Sequence, residues 1–313
     1  MSYRGKVLLA APVHQVLRDG LEVAGYELLS ASGIRQGEAP GLISSCVGVV
    51  TSTRLQLDAD LIDAAPDLRW IARMGSGMEV IDVAYATSKD IICIGSPEGN
   101  SNAVAEHALG MLLGITKRIA HSAEEVSAGM WLREENRGTE LEGKTIGIIG
   151  FGHTGRAFAR KLQSMDMRIL AYDKYAINDA PTYVEPCDGL ERIWEEAQVI
   201  SFHVPIAEDT YHYYDINFSE RMKHSAILLN TSRGSVVDAS ILPGLLKTGR
   251  LLGAGLDVWE NEPPERMSGP QRALFGAVAV MPQVIMTPHI AGYTFEALYK
   301  MSAILLERIL RLK

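Results

Sequence analysis

One stretch, residues 143–173, limits the possible folds of this chain more than any other. Its β-branched run, Thr145–Ile149, predicts a buried strand, and glycines follow at once at positions 150, 152 and 155. An apolar pattern of helical period comes next, and Arg168–Tyr172 predicts a second strand that Asp173 closes. A strand, a glycine turn, a helix and a second strand in this order predict a βαβ unit within a parallel sheet.

The three glycines of this unit each meet a requirement of a phosphate site. Gly150 permits a tight turn, Gly152 lets the backbone approach a pyrophosphate, and Gly155 allows the helix to pack closely on the strand. The start of the helix offers unpaired N–H groups and the positive end of its dipole. Asp173 accepts hydrogen bonds from the hydroxyls of an adenosine ribose and repels a 2′-phosphate, so we predict NAD as the cofactor. The alternative is a βαβ unit that serves packing alone, with Asp173 as an ordinary surface residue.

The composition argues against several other classes of protein. A net charge of −8 disfavours a general nucleic-acid binder, which needs a basic surface. Cys46, Cys93 and Cys187 are scattered, without the spacing of a disulfide framework or a zinc site. The most apolar segment, Ala103–Ile115, is too short to span a bilayer, and the first residues are not apolar enough for a secretory signal. We therefore expect a cytoplasmic protein with no bound metal, no nucleic-acid partner and no membrane partner.

Short apolar runs alternate with helical patterns along the whole chain, which predicts two doubly wound α/β domains with parallel sheets. Besides the two strands above, the predicted strands are Lys6–Ala10, Val47–Val50, Trp70–Met74, Ile91–Ile94, Val199–Phe202, Ile227–Asn230, Ala254–Val258 and Val284–Met286. The main predicted helices are Val13–Ala24, Asp58–Ala65, Asn102–Ile119 and Thr294–Leu312. Ser101 or Asn100 is the expected cap of the third helix, whose Gly110 and Gly114 allow another element to approach closely.

Three chemically active side chains follow successive strands in the second half of the chain. Arg233 comes after the strand that ends at Asn230, Glu262 after the next strand and His289 after the last. Because parallel strands present their carboxyl ends at one edge of the sheet, we expect these three side chains to converge beside the dinucleotide. A guanidinium holds a carboxylate with two hydrogen bonds, an imidazole accepts a hydroxyl proton, and a carboxylate orients the imidazole. Taken singly, each side chain has an alternative role: an ion pair for Arg233, and ordinary loop positions for Glu262 and His289.

Several stretches together resemble the D-isomer-specific 2-hydroxyacid dehydrogenase family over essentially the whole chain. They are R-M-G-S-G-M-E-V-I-D, N-S-N-A-V-A-E-H, G-T-E-L-E-G-K-T-I-G-I-I-G-F-G-H-T-G, F-H-V-P-I-A-E-D-T, N-T-S-R-G-S-V-V-D, G-L-D-V-W-E-N-E-P and T-P-H-I-A-G. The resemblance implies a substrate domain of residues 1–99 plus 293–313, a Rossmann NAD-binding domain of residues 100–292, and an active site in the cleft between them. It also implies a homodimer, a small 2-hydroxy acid as substrate, and Arg233, Glu262 and His289 as the catalytic residues.

The resemblance further implies which residues contact each ligand. The implied cofactor contacts are Ser76, Val104, Gly150, Gly152, His153, Thr154, Gly155, Asp173, His203, Val204, Pro205, Thr231, Ser232, Asp257 and Gly292. The implied substrate contacts are Arg54, Arg73, Met74, Gly75, Ser76, Gly77, Arg133, Arg233 and His289. Two positions depart from the family pattern. Glu79 stands where many members carry Asp, and His153-Thr154 replaces the commoner Arg-Ile pair, so we expect a weaker pyrophosphate contact.

Within the family, the chain looks most like the branch that oxidises 3-phospho-D-glycerate to 3-phosphohydroxypyruvate in serine biosynthesis. Arg73 matches an Arg that helps to bind the substrate phosphate there, and Arg54 and Arg133 are further candidates, with solvated surface charges as the alternative. The chain stops after its last predicted helix, so we expect neither a regulatory domain nor feedback by serine.

Two other functions stay open on the sequence. One is a reductase of glyoxylate, hydroxypyruvate or another 2-keto acid that uses the same residues. The other is an NAD-sensing interaction protein similar to the transcriptional corepressors built on this fold, although the intact Arg, Glu and His argue against it.

Overall fold

The chain divides into two compact units. The computed structural model describes residues 3–312. One unit contains the residues up to Ser101 together with the stretch from Tyr293 onward, and the other is Asn102–Gly292. Each unit has one sheet in which every pair of neighbouring strands is parallel, with helices between most successive strands. The predicted fold class, two doubly wound α/β units, is therefore confirmed.

The first unit is built on a five-stranded sheet with the order β2-β1-β3-β4-β5. Its strands are β1 (Gly5–Leu9), β2 (Tyr26–Ser30), β3 (Cys46–Thr51), β4 (Trp70–Arg73) and β5 (Ile92–Ile94). The connecting helices are α1 (Gln15–Val23), α2 (Ala39–Ile43), α3 (Ala59–Asp63) and α4 (Val83–Ser88). Leu8, Val49 and Ile71 on the three central strands are fully buried, as expected for strands that helices cover on both faces.

Two helices follow this sheet, α5 (Pro97–Thr116) and α6 (Ile119–Ser127). The predicted start of the long helix at Asn102, with Ser101 or Asn100 as its cap, is wrong. The helix begins five residues earlier, at Pro97, because the ring of proline sets the φ angle that a first helical residue needs. It also ends before Ile119, since Arg118 adopts a left-handed backbone conformation with φ 54° and separates the two helices.

The second unit has a seven-stranded sheet with the order β12-β11-β10-β9-β6-β7-β8. Its strands are β6 (Thr145–Ile149), β7 (Arg168–Tyr172), β8 (Val184–Pro186), β9 (Val199–Phe202), β10 (Ala226–Asn230), β11 (Leu251–Leu256) and β12 (Val284–Met286). Its helices are α7 (His153–Leu162), α8 (Glu191–Glu196), α9 (Ile216–Arg221), α10 (Leu242–Lys247) and α11 (Gly269–Ala279). The strand order reverses between β6 and β9, which is where open α/β sheets bind ligands.

The last helix, α12 (Phe295–Leu310), belongs to the first unit and packs against α1. Thr294 caps it through a hydrogen bond from Ala297 N to Thr294 Oγ1. A Cβ on Gly20 would lie 2.2 Å from Leu306 Cδ2, so a larger residue on α1 would require Leu306 to shift. One-turn 3₁₀ helices occur at Gln36–Glu38, Gln163–Met165, Glu208–Thr210, Gly234–Val236, Ala239–Ile241 and Pro264–Arg266.

The two glycines predicted to allow close packing on α5 differ. A Cβ on Gly114 would lie 2.6 Å from Ile285 Cδ1, so this glycine admits a close neighbour. Nothing lies within 4 Å of a Cβ on Gly110, so the prediction is wrong at that position.

Membrane spans and metal clusters are both absent from residues 3–312. No helix in this range is long and apolar enough to cross a membrane. No group of three or more His, Cys, Asp or Glu side chains among these residues is placed to hold a metal ion.

Candidate active site

The glycine loop connects β6 to α7 at the point where the strand order reverses. Gly150 adopts a left-handed backbone with φ 92°, and a Cβ there would lie 2.5 Å from His203 O. A Cβ on Gly155 would lie 2.1 Å from Gly150 O, so only glycine allows α7 to pack this closely on the loop. Gly152, at the N-cap, faces open space, and no side chain caps the helix there. The first N–H groups of α7 are therefore presented beside an open backbone, as a pyrophosphate requires.

Asp173 follows β7, and its carboxylate accepts two backbone hydrogen bonds. Oδ2 accepts from Phe151 N at 2.7 Å, and Oδ1 accepts from Tyr175 N at 3.0 Å. The carboxylate thus fixes the glycine loop to the loop after β7. Each of its oxygens keeps a second lone pair, which is the acceptor that a ribose hydroxyl needs.

Residues 203–205 follow β9 and lie beside the glycine loop. The backbone of His203 and the side chain of Val204 both approach Gly150. The imidazole of His203 contacts other residues. Its Nε2 is 2.8 Å from Ser201 Oγ, and the ring packs on Phe158. Burial lowers the pKa of this imidazole to about 3, so it stays neutral at physiological pH.

Arg233 lies just beyond β10 in a loop that Asn230 holds in place. The fully buried Asn230 donates from Nδ2 to Arg233 O at 2.8 Å and accepts at Oδ1 from the Ser232 hydroxyl at 2.8 Å. The Arg233 guanidinium donates to Ser232 O at 2.7 Å. A Cβ on Gly234 would lie 2.1 Å from the carbonyl carbon of Trp259, so the Arg233 loop packs directly on the loop after β11.

Glu262 and His289 form a hydrogen-bonded pair between the loops that follow β11 and β12. Glu262 Oε1 contacts His289 Nδ1, and Glu262 Oε2 accepts from Trp259 N at 2.9 Å. Their side chains are 34% and 41% exposed, so the pair is open to a small reactant. Because Nδ1 is engaged by the carboxylate, Nε2 is the nitrogen that remains for proton transfer.

Asp257, which directly follows β11, is only 1% exposed and forms hydrogen bonds with the loop that carries His289. Its carboxylate accepts from Ile290 N at 2.9 Å and from Ala291 N at 2.8 Å, and its backbone oxygen accepts from His289 N at 2.8 Å. Thr287 Oγ1 also donates to Asp257 Oδ1, at 2.5 Å. The carboxylate that the resemblance gives to the cofactor thus also positions this loop.

Among the remaining cofactor candidates of this unit, Thr231 has a buried hydroxyl with no hydrogen-bond partner. It lies directly after β10, where a ligand amide would satisfy it. Val104 is buried on α5, Gly292 is half-buried after Ala291, and His153 and Thr154 form the first turn of α7. The open Gly152, the uncapped helix, Asp173 and the orphaned Thr231 hydroxyl together fit a dinucleotide.

The substrate candidates of the first unit cluster at the turn after β4. Gly75 has φ 125°, and Ser96 braces the turn by accepting from Gly75 N at 3.0 Å. Arg73 is 7% exposed, and its Nη1 donates to Met74 O at 2.6 Å, against the α-carbon of Gly75. Met74 is buried, Gly77 is half-buried and Ser76 is exposed.

The other two basic candidates do not share this turn. Arg54 is exposed on the loop after β3, and Arg133 is exposed in the second unit, beyond α6. Both positions are also those of ordinary solvated charges.

Two residues that hold loops of this site were missed as site residues. His107 on α5 reaches Thr287 Oγ1 at 2.9 Å, and Asn230 anchors the Arg233 loop. Both lie within stretches that carry the family resemblance. However, only the fold shows that His107 meets a residue 180 positions further along the chain.

Comparison with known proteins agrees with this geometry. The family model described as D-isomer specific 2-hydroxyacid dehydrogenase, NAD binding domain, matches residues 109–291. The chain is 31% identical over 308 residues to D-3-phosphoglycerate dehydrogenase of Archaeoglobus fulgidus, which covers 98% of this chain and 57% of that protein. It is 36% identical over 253 residues to glyoxylate reductase of Thermofilum pendens, covering 79% of this chain and 72% of that protein. The chain therefore spans little more than half the length of the first of these relatives.

A solved structure shows the same relationship. D-lactate dehydrogenase from Aquifex aeolicus, complexed with NAD and lactic acid, matches with a TM-score of 0.83 and 25% identity over 97% of this chain and 94% of that one. The glycine loop, the family match and these relatives agree on one conclusion. The chain belongs to the D-isomer-specific 2-hydroxyacid dehydrogenase family, and its cofactor is NAD.

Proposed function

We propose that this protein interconverts a D-2-hydroxy acid and the corresponding 2-keto acid with NAD as the redox partner. The observation that carries the proposal is the hydrogen bond between Glu262 and His289, which lie on the loops after β11 and β12 of the NAD-binding unit. An imidazole held at Nδ1 by a carboxylate, with Nε2 left for a reactant, is a suitable general base.

Each side chain then has a defined task. His289 Nε2 takes the proton of the substrate hydroxyl as the C2–H bond breaks. Glu262 keeps the other proton on Nδ1 and stabilises the imidazolium that forms. Arg233 offers a planar fork that binds the substrate carboxylate with two hydrogen bonds. Bound NAD supplies the carbon that accepts the hydride.

For the substrate, we propose 3-phospho-D-glycerate. Arg73 supports this choice, because a buried guanidinium beside a glycine turn is suited to a phosphate dianion. The similarity to an archaeal D-3-phosphoglycerate dehydrogenase over 98% of the chain also supports it.

A second candidate substrate is glyoxylate or hydroxypyruvate, reduced with NADH on the same residues. Two observations favour it. The identity to a glyoxylate reductase is higher, at 36%. One N–H of the Arg73 guanidinium already donates to Met74 O, and the residue is only 7% exposed. Both facts limit the N–H groups available to a phosphate.

A panel of substrates separates the two candidates. NADH formation is followed at a pH of about 9, where proton loss favours oxidation, with 3-phospho-D-glycerate and unphosphorylated D-2-hydroxy acids. The reverse reaction uses hydroxypyruvate, its phosphate and glyoxylate. Arg73→Ala is compared with Arg69→Ala, which removes an exposed Arg at the other end of β4. A loss confined to phosphorylated substrates in Arg73→Ala supports 3-phospho-D-glycerate, and equal activity in both variants supports the small keto acids.

The panel also tests the non-catalytic function. An NAD-sensing interaction protein would bind NADH but turn over none of these acids, so steady turnover of any one of them rejects it.

We further propose a homodimer. The support, besides the family, is the exposed apolar run Met130, Trp131 and Leu132, in which Trp131 is 78% exposed. Light scattering that gives the mass of one chain would reject the dimer.

A further inference from the structure

His107 lies on α5, outside the Arg233, Glu262 and His289 set, yet its side chain reaches the end of β12. Its Nε2 lies 2.9 Å from Thr287 Oγ1 and 3.5 Å from Asp257 Oδ1. The His107 side chain is 22% exposed and the Asp257 side chain 1%. Helix α5, which precedes every strand of the second unit in the chain, thus contacts Thr287, two positions before His289.

The direction of these hydrogen bonds follows from the groups involved. Thr287 Oγ1 is 2.5 Å from a carboxylate oxygen that only accepts, so the hydroxyl proton points at Asp257. The Thr287 oxygen is then left as an acceptor, and His107 Nε2 must carry a proton and donate to it. The result is a directed chain from His107 to Thr287 to Asp257.

Asp257 connects this chain of hydrogen bonds to residues 289–291, the loop that carries His289. Its carboxylate accepts from Ile290 N and Ala291 N, and its backbone oxygen accepts from His289 N. These bonds enclose His289, whose backbone has φ 56°, a conformation that disfavours a residue with a side chain. Strained backbone of this kind persists only where its surroundings enforce it.

We propose that His107 is a positioning residue for the catalytic imidazole and acts through Thr287 and Asp257. It orients the Thr287 hydroxyl, which orients the Asp257 carboxylate, which holds residues 289–291 in the conformation that brings His289 Nδ1 to Glu262. The catalytic consequence rests on the function proposed above, whereas the structural consequence does not.

The direct test is hydrogen exchange of the Ile290 and Ala291 amides. His107→Leu removes the donor and keeps an apolar body of similar size. His107→Gln restores an N–H of similar reach. His121→Leu is the matched control, since His121 on α6 is 26% exposed and also pairs with a carboxylate, that of Glu125. Loss of one hydrogen bond in His107→Leu should speed exchange at the two amides roughly five- to tenfold.

The same variants are assayed with NAD and the acid that the parent turns over best. We expect kcat of His107→Leu to fall roughly fivefold or more, with the dissociation constant of NADH unchanged within about twofold. His107→Gln should recover most of both losses. In a double-mutant cycle, His107→Leu should add little to Thr287→Val, because both interrupt the same chain.

Three results overturn the proposal. They are parent-like exchange at residues 290 and 291 in His107→Leu, faster exchange spread evenly over the second unit, and equal behaviour of the Leu and Gln variants. If no acid is turned over, the function proposed above fails on its own. The exchange rates still decide whether His107 positions the loop.

Discussion

Replacing Glu262 by Gln probes the hydrogen bond between Glu262 and His289 with the smallest change of shape. The carboxylate now serves two donors at once, His289 Nδ1 and Trp259 N. An amide has one acceptor oxygen. Glu262→Gln therefore removes the negative charge that faces His289 in either orientation of the amide, and its NH₂ group also breaks one of the two bonds, to the Trp259 N–H or to the proton on His289.

The magnitude of the effect follows from these two contacts. A hydrogen bond to a charged group contributes about 1.5–3 kcal/mol, and the lower end applies here because both side chains are about a third or more exposed. Losing one backbone hydrogen bond adds about 1 kcal/mol. Because His289 becomes cationic in the transition state, we expect the whole of this lost interaction energy to appear in the activation free energy. We therefore expect kcat/KM to fall roughly 10- to 100-fold.

The assay is initial-rate NADH formation with the best acid of the panel, together with fluorescence titration of NADH. Glu265→Gln is the control, since it makes the same chemical change at an exposed residue three positions further on. NADH affinity should stay within about twofold in both variants. A kcat/KM for Glu262→Gln within about threefold of the parent would refute the reasoning.

Three further predictions concern the cofactor loop and the response to acid. Gly155→Ala places a methyl group 2.1 Å from Gly150 O, so NADH affinity should fall at least about tenfold in a fluorescence titration. Burial lowers the pKa of His203 from its ordinary value of 6.5 to about 3 in the folded protein, so the stabilising contribution of this residue is lost as pH falls through this window. In urea titrations, the free energy of unfolding of the parent should fall by about 1–2 kcal/mol more than that of His203→Gln when the pH is lowered from about 7 to about 5. Hydrogen bonds from Arg168 and Arg192 lower the pKa of Glu185 from 4.5 to about 2, so its contribution, complete above the ordinary pKa, disappears as pH falls towards the lowered one. In the same urea titrations, the free energy of unfolding of Glu185→Gln should depend less steeply on pH than that of the parent below the ordinary pKa of Glu185.

The local sequence was sufficient to predict the cofactor loop. Glycine spacing, a β-branched run and a closing carboxylate depend on neighbours within one βαβ unit. The strands Thr145–Ile149 and Arg168–Tyr172 accordingly have the predicted bounds. The placement of Arg233, Glu262 and His289 after successive strands was also predictable, because parallel strands end at the same edge.

Elements that depend on distant neighbours were harder to predict. Tyr26–Ser30 was missed because it is an edge strand with two exposed positions and no long apolar run. The start of α5 at Pro97 was placed too late, since a polar first turn obscured the helix. The contact between His107 and Thr287 has no local signal, because the two residues meet only after the whole second sheet has formed.

The central claim is that His289 is the proton acceptor in an NAD-dependent oxidation. The most direct measurement compares the parent with His289→Ala for NADH formation from NAD and a D-2-hydroxy acid, with its L isomer alongside, while NADH binding is followed by fluorescence. We predict turnover of the D isomer only, and a loss in His289→Ala of about a thousandfold with NADH affinity retained. Turnover by His289→Ala within about tenfold of the parent would contradict the account.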